Sequence, residues 1–226
     1  IFVERELAFT SAEIFDVDHT ITRNITAVSY LYLLVKKKIF SVTILRHLPY
    51  ICMNYKFGRM SDKHFDRRIE ELEGVDRKFL EEAAEETFRT MLKKDHIYAD
   101  SKRYIEHLKS NNKKIILATS SLDIIIKPLA DYLGVDTVIA TRFAYDENNK
   151  CRGYFDGKPA LREEKRRRVM EYVRENNIDL AASSFYSDCI HDAPLFNEVG
   201  NPVAVNPDIR LTFYAKKNGW PILRFR

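Results

Sequence analysis

Two pairs of aspartates are spaced so that they could do chemistry together. Asp16 and Asp18 directly follow one short apolar run, and Asp188 and Asp192 follow another. If both runs are neighbouring strands of a parallel sheet, the four carboxylates meet at its carboxyl edge, where open sheets bind ligands. Carboxylates this close repel one another, and a hard cation bound through oxygen relieves the repulsion. The spacing therefore predicts a site for Mg²⁺.

A magnesium site of this kind is suited to phosphate chemistry. The cation neutralises a phosphate group, and an aspartate beside it, here Asp16, can attack phosphorus to form an aspartyl-phosphate. Asp18, two residues further on, can protonate the leaving oxygen and later activate water. Lys165 and the donors around Thr119 and Ser120 can stabilise charge on the phosphoryl oxygens.

Each of these signals has a simpler structural explanation when it is taken alone. An Asp-x-Asp at a strand end, or an aspartate before a helix, is a common turn or helix cap. Their joint order favours chemistry. Two aspartates come first, then a threonine after an apolar strand, then a lysine, and finally two aspartates after another strand.

Short apolar runs alternate with helical stretches along most of the chain. Strands are predicted at 12–15, 114–118, 136–140, 184–187 and 202–205. Helices are predicted at 99–111, 121–133 and 161–176. A hairpin is predicted over 142–155, with its turn at 146–149. Nearly continuous apolar strands separated by helices predict an α/β fold with a Rossmann-like parallel sheet.

Residues 23–94 interrupt this alternation and hold no convincing buried strand. Four helices are predicted instead, at about 24–37, 41–56, 61–72 and 76–93, with Ser61 placed to cap the third. We therefore predict a discontinuous α/β catalytic core, formed by 1–22 and 95–226, and an inserted all-helical cap domain at 23–94.

The segment 30–57 combines aromatic and aliphatic side chains with three consecutive lysines at 36–38. Such residues usually form the core of a helical cap, although an interfacial helix pair that touches lipid head groups has a similar composition. We favour the cap and do not expect membrane contact. If the segment did touch a membrane, a lipid-linked phosphate would become a plausible substrate. No run of about 18 apolar residues is present, so no membrane-spanning helix is expected.

Charge and cysteine content argue against several other classes of protein. The net charge of +4 is spread over many positions and does not form the concentrated stripe of a nucleic-acid binder. The densest basic run, 165–168, follows two glutamates and is typical of a solvated helix face. Three cysteines provide neither a disulfide framework nor zinc-ligand spacing, which fits a reducing, cytoplasmic compartment. Composition does not indicate an oligomeric state.

These motifs together resemble the haloacid dehalogenase superfamily, in particular its phosphoserine phosphatase-like branch (subfamily IB), which has a helical cap after the first motif. The stretch 16–20 resembles the family's DxDxT motif, and 115–120 resembles the apolar strand that ends in Thr or Ser. Lys165 resembles the lysine of the third motif. The stretch 187–192 resembles the fourth motif, GDxxxD, with Ser187 in place of the usual glycine.

The resemblance implies a role for each matched residue. Asp16 would be the nucleophile and a ligand of Mg²⁺. Asp18 would be the general acid and base, with its backbone carbonyl on the metal. Thr119 and Ser120 would bind the phosphoryl group, and Lys165 would neutralise it.

The fourth motif completes the implied metal site. Asp188 would be a further ligand of Mg²⁺. Asp192 would orient Lys165 or lie in the metal's outer shell. His191, inside this loop, could contact the substrate or metal-bound water, or could simply pack within the loop.

The chain also departs from true phosphoserine phosphatases, which usually read DxDST and carry a glutamate shortly afterwards. His19 stands where that serine would be, and residues 21–25 contain no acid, which disfavours phosphoserine as the substrate. His19 could contact a substrate or bond locally. Arg68 loosely matches a cap arginine that grips the substrate carboxylate, although it could equally be a solvated helix residue.

The sequence therefore predicts a magnesium-dependent phosphatase that hydrolyses a small phosphorylated metabolite through an aspartyl-phosphate on Asp16. One alternative is a phosphotransferase in which an alcohol accepts the phosphoryl group. Another is a non-catalytic binding module with the same fold, and the intact Asp16, Asp18, Lys165 and Asp188 count against it.

Overall fold

The fold is built around a parallel sheet, seen in a computed structural model that describes residues 10–56, 68–135 and 137–226. The strands are β1 (Ala12–Phe15), β2 (Lys114–Leu122), β3 (Thr137–Thr141), β4 (Phe143–Tyr145), β5 (Cys151–Phe155), β6 (Ser184–Ser187), β7 (Asn201–Val205) and β8 (Ile222–Leu223). Six of them form one sheet in the order β3-β2-β1-β6-β7-β8, and all neighbouring pairs are parallel. β4 and β5 form a separate antiparallel hairpin.

Helices fill the connections between the strands. They are α1 (Thr26–Lys36), α2 (Leu48–Lys56), α3 (Arg77–Lys93), α4 (Ala99–Ser110), α5 (Asp123–Leu133), α6 (Glu163–Glu175), α7 (Ala193–Phe196) and α8 (Ile209–Asn218). Shorter 3₁₀ turns lie at Val42–Arg46, Glu70–Leu72 and Ile190–Asp192. α5 ends at Gly134, which has the left-handed backbone (φ 61°) that favours glycine after a helix.

The sheet is covered on both faces, as its apolar strands predict. Successive residues of a strand point to opposite sides, so Ile14 and Ile116 enter one hydrophobic cluster, together with residues of α6 and α8. Phe15 and Leu117 enter the other cluster, with residues of α4 and α5. The predicted α/β fold with a Rossmann-like sheet is therefore confirmed.

The prediction of one helix over 41–56 was wrong. A 3₁₀ turn at Val42–Arg46 is followed by the separate helix α2. Pro49 explains the break, because proline has no N–H to donate to the carbonyl of Leu45 and its ring would clash there, whereas proline is well tolerated in the first turn of a new helix. The helix predicted at 61–72 lies mostly outside the described residues, as does Ser61, and its last three residues form a 3₁₀ turn.

The β4–β5 hairpin packs against residues of the helical segment that lie much earlier in the chain. The Ile69 and Gly74 N–H groups donate to β5 carbonyls at 2.6 and 2.8 Å. Phe143 and Cys151 of the hairpin share a hydrophobic cluster with residues of α1, α3 and α5. The hairpin and the helical segment are thus packed together, and the proposed division into a core and a cap at 23–94 stays a prediction.

The helical segment has both buried and exposed apolar residues. Tyr30 and Leu34 of α1 are buried in its cluster, as expected for a cap core. Tyr50 and Met53 of α2 are 64% and 46% exposed. Within the ranges that the structure describes, no helix combines the length and the apolar character needed to cross a bilayer.

Gly200, just before β7, packs closely against the backbone of the connection that leads into β6. An added Cβ would lie 1.8 Å from the backbone carbonyl oxygen of Ala181. We expect Gly200→Ala to lower the free energy of unfolding by about 2–3 kcal/mol, because the backbone must move. Gly157→Ala is the control, since its Cβ would meet no atom within 4 Å and only its left-handed φ costs about 1 kcal/mol. Equal losses in urea denaturation would contradict this packing.

Candidate active site

Three neighbouring strands bring the predicted motifs to one edge of the sheet. Asp16 directly follows β1, Thr119 lies in β2, and Asp188 directly follows β6. Because β2 and β6 flank β1 and all three are parallel, their carboxyl ends lie side by side. The Asp16 N–H also donates to the Tyr186 carbonyl at 2.8 Å, which extends the pairing of β1 with β6 up to the site.

Lys165, in the first turn of α6, links the two aspartate pairs. Its side chain is buried, and Nζ donates to Asp16 Oδ1 at 2.9 Å. The same Nζ lies 2.8 Å from Asp192 Oδ1 and 2.9 Å from Asp192 Oδ2. One buried ammonium group therefore lies between two buried carboxylates that are far apart in sequence, in the grouping that the motifs predicted.

The site has more negative than positive charge. The pKa of Asp16 is raised to about 7, mainly by burial and also by the charges of Asp192 and Asp18, although Lys165 acts in the opposite direction. Burial and the neighbouring Asp16 also raise the pKa of Asp188 well above its usual range. A cation bound at this edge would favour the ionised form of both carboxyls, because an opposite charge nearby lowers the pKa of a carboxyl.

The donors at this edge fit magnesium chemically. Asp16 and Asp188 offer carboxylate oxygens, and the Asp18 backbone offers a carbonyl, which makes an oxygen-only set. Mg²⁺ prefers such donors and usually keeps several water molecules as well. In the described parts of the chain, no three His, Cys, Asp or Glu side chains are already gathered around a potential metal position.

The Asp18 side chain joins the nucleophile loop to the start of α1. Its Oδ1 accepts the Thr26 N–H at 2.8 Å, and its Oδ2 accepts the Ser121 hydroxyl at 2.7 Å. The Thr26 and Ser121 hydroxyls are also 2.8 Å apart. Asp18 thereby caps α1, because Ile25, just before the helix, has no capping side chain. Sequence reasoning missed Ser121 and Thr26, and the only signal was a helix start without a capping residue of its own.

Thr119 and Ser120 lie in a stretch of β2 that is fixed by hydrogen bonds. Thr119 is fully buried, and its Oγ1 accepts the Ser121 N–H at 3.1 Å. The Ser120 carbonyl accepts the Thr141 hydroxyl at 2.8 Å, and that hydroxyl oxygen accepts the Ala160 N–H at 3.0 Å. The backbone around the two predicted phosphate-binding residues is therefore held rigidly.

Ser187 occupies the position where the fourth motif usually has glycine. Its hydroxyl is fully buried and donates to Asp192 Oδ2 at 2.7 Å. It also accepts the Cys189 N–H at 3.3 Å. The sequence identified Ser187 as a departure from the motif but did not indicate this contact. Burial raises the pKa of the Cys189 thiol to about 12, which favours a packing role over a nucleophilic one.

The predicted substrate residues are less closely tied to the aspartates. His19 is exposed, has a left-handed backbone (φ 61°), and its Nδ1 lies 3.0 Å from the Arg23 carbonyl. His191 lies in the 3₁₀ turn between the two aspartates of the fourth motif and is half-buried. Arg68 is exposed and forms an ion pair with Glu73 beside the hairpin.

Comparison with known proteins identifies a family model and several similar proteins. The model of the haloacid dehalogenase-like hydrolase family matches residues 14–197, a range that contains the four aspartates, Thr119 and Lys165. A histidinol-phosphatase from Neisseria meningitidis serogroup C (strain 8013) is 31% identical over 134 residues, which cover 58% of this chain and 60% of the relative. The chain thus spans less than two thirds of that relative's length.

Two solved structures share the fold. A protein of unknown function from Bordetella pertussis Tohama I superposes with a TM-score of 0.84 at 23% identity, over 95% of this chain and 98% of the other. A phosphoserine phosphatase with a phospho-aspartyl intermediate analogue superposes with a TM-score of 0.66 at 17% identity, over 96% and 93% of the two chains. Because the family model spans most of the sequence and the fold agrees with it, the chain belongs to the haloacid dehalogenase-like hydrolase family.

Proposed function

We propose that the protein is a magnesium-dependent phosphatase that hydrolyses a small phosphomonoester through an aspartyl-phosphate on Asp16. The observation that carries the proposal is the contact of the buried Asp16 carboxylate with Lys165, at the edge where Asp188 also lies. A structural aspartate would need no such surplus of carboxylates around it. A nucleophile that receives a phosphate and a cation does need oxygen donors and one fixed positive charge.

In the first half of the reaction, a carboxylate oxygen of Asp16 attacks phosphorus and the bond from phosphorus to the substrate oxygen breaks. Asp18 gives its proton to the leaving oxygen, which departs as an alcohol. Lys165 and the donors around Thr119 stabilise charge on the phosphoryl oxygens. Mg²⁺, held by Asp16, Asp188 and the Asp18 carbonyl, would neutralise phosphate charge.

In the second half, the aspartyl-phosphate is hydrolysed. Asp18 takes a proton from water, whose oxygen attacks phosphorus, and the bond to Asp16 breaks to release inorganic phosphate and restore the carboxylate. The contacts of Asp18 with Ser121 and with the start of α1 hold this carboxylate in place between the two proton transfers. They also connect it directly to the helical segment that we propose as the cap.

The substrate is proposed to be a small phosphorylated metabolite. This is supported by the family and by a relative named histidinol-phosphatase. His19 and the acid-free stretch 21–25 still count against phosphoserine. A screen should therefore include a generic aryl phosphate, histidinol phosphate and phosphoserine. We expect phosphate release with Mg²⁺ and none with EDTA.

The same assay separates the proposal from its alternatives. Added alcohols that become phosphorylated in place of water would identify a phosphotransferase. Neither release nor transfer from any substrate, with the metal present, would contradict the proposed function and favour a binding module.

Metal binding gives a prediction that does not depend on turnover. We expect Mg²⁺ to raise the melting temperature of the wild type, because a ligand that binds only the folded state stabilises it. Asp188→Asn should raise the Mg²⁺ concentration at the midpoint of this titration by about tenfold to a hundredfold. In EDTA the same variant should be at least as stable as the wild type, since a buried like charge is removed.

Asp131→Asn is the matched control for the metal titration. Asp131 is an exposed carboxylate on α5, paired with Lys127, so its loss should leave the Mg²⁺ midpoint unchanged. If Asp188→Asn also left the midpoint unchanged, Asp188 would not be a ligand.

A further inference from the structure

We propose that Ser187 is a positioning residue for the reaction, because its buried hydroxyl holds the Asp192 carboxylate in the orientation that keeps Lys165 against Asp16. This inference rests on the proposed function and goes beyond it. It assigns a task to the serine that stands where the fourth motif usually has glycine.

A continuous chain of polar contacts runs from Ser187 to the nucleophile. Ser187 Oγ donates to Asp192 Oδ2 at 2.7 Å, and the same oxygen accepts from Lys165 Nζ at 2.9 Å. Lys165 Nζ then donates to Asp16 Oδ1 at 2.9 Å. Ser187, Lys165 and Asp192 are 0%, 3% and 6% exposed, so water has little access to replace any link.

The Ser187 hydroxyl matters because Lys165 is shared between two carboxylates. A buried carboxylate needs hydrogen-bond donors, because a buried polar group without a partner costs free energy of folding. Ser187 supplies Asp192 with a neutral donor, so Asp192 does not depend on Lys165 alone. Without that donor, we expect Asp192 to draw the ammonium group towards itself and away from Asp16, where the phosphoryl group must be neutralised.

The Ser187 hydroxyl also ties the loop together. It accepts the Cys189 N–H at 3.3 Å while it donates to Asp192. The Ser187 oxygen thus links the first residue of the stretch 187–192 to its middle and to its last residue. A glycine at this position could make neither contact. In this chain, the hydrogen bonds of the Ser187 hydroxyl therefore hold together the loop that carries Asp188 and Asp192.

The direct test compares Ser187→Ala with Ser183→Ala. Ser183 is also fully buried, but its hydroxyl meets only backbone groups, accepting the Ala12 N–H at 2.9 Å and donating to the Asp179 carbonyl at 2.5 Å. Both variants should lose stability. Only Ser187→Ala should lower kcat, by about tenfold to a hundredfold with little change in KM. Ser187→Thr, which keeps the hydroxyl, should recover most of the lost kcat.

A double-mutant cycle shows whether Ser187 acts through Asp192. If it does, Ser187→Ala combined with Asp192→Asn should be no slower than Asp192→Asn alone. Independent, multiplicative losses would overturn the proposal, and so would a kcat for Ser187→Ala equal to that of Ser183→Ala. Asp16→Asn separates this failure from a failure of the proposed function. If Asp16→Asn is inactive while Ser187→Ala is fully active, only the role of Ser187 is wrong.

Discussion

Asp16→Asn is expected to lower the rate of phosphate release at least about a thousandfold, as is typical when an enzyme loses its covalent nucleophile. An amide oxygen is a poor nucleophile and cannot form a stable acyl phosphate. The substitution keeps the shape of the side chain and its contact with Lys165. The loss should therefore appear in kcat, with substrate and Mg²⁺ still able to enter the site.

The stability of Asp16→Asn shows whether a loss of activity comes from the missing nucleophile or from unfolding. Burial and like charges raise the pKa of Asp16 to about 7 in the folded protein, so an ionised Asp16 is unfavourable there. In EDTA near neutral pH, the variant should be at least as stable as the wild type in urea denaturation. An inactive variant that is also unfolded would leave the nucleophile assignment without support, and an active one would contradict it.

Lys165→Met should abolish activity and also destabilise the protein. It removes the buried positive charge shared by Asp16 and Asp192. Breaking such a buried pair by removing one partner typically costs about 3–5 kcal/mol, because the remaining carboxylates stay buried. We expect a loss of this size in EDTA, together with a fall in kcat of at least about a thousandfold.

The pH dependence of the Lys165→Met loss follows from Asp16. Lys165 lowers the pKa of Asp16, so its removal moves that pKa further above the unfolded value. The folded state then binds more protons than the unfolded state, and stability falls as pH rises through neutral. The destabilisation should thus be larger at about pH 8 than at about pH 5.

An exposed ion pair provides the control for Lys165→Met. Lys127 and Asp131 also form a lysine–aspartate pair, but their side chains are 69% and 56% exposed. Lys127→Met should change stability by less than about 1 kcal/mol and should leave kcat unchanged. Similar losses for both lysines would contradict the special position of Lys165.

The position of the aspartates could be predicted because each pair follows a short apolar run, and parallel strands end at the same edge. The strand order cannot be predicted from the sequence, but in the structure β1, β2 and β6 are adjacent. Lys165 was identified through its motif, although its basic neighbours resemble a solvated helix face. In the structure it is 3% exposed, whereas Arg167, two residues further along the same helix, is at the surface.

The contacts that could not be predicted join distant parts of the chain through small polar side chains. Ser121 and Thr26 are 95 residues apart and meet at Asp18. Serine and threonine are common at many kinds of position, so their types carry little information until the fold brings them together. The packing of the hairpin on the helical segment was missed for a different reason, because it depends partly on backbone hydrogen bonds, which every residue type can form.

The most direct measurement is to trap the phosphoryl group on the protein. The wild type would be mixed with a substrate that it turns over, quenched within one turnover, and analysed by intact mass. Borohydride reduction and peptide mapping would then locate any acyl phosphate. We expect one added phosphoryl group per chain, located on Asp16 and missing in Asp16→Asn. Rapid turnover with no protein-bound phosphoryl group, or with one on another residue, would contradict it.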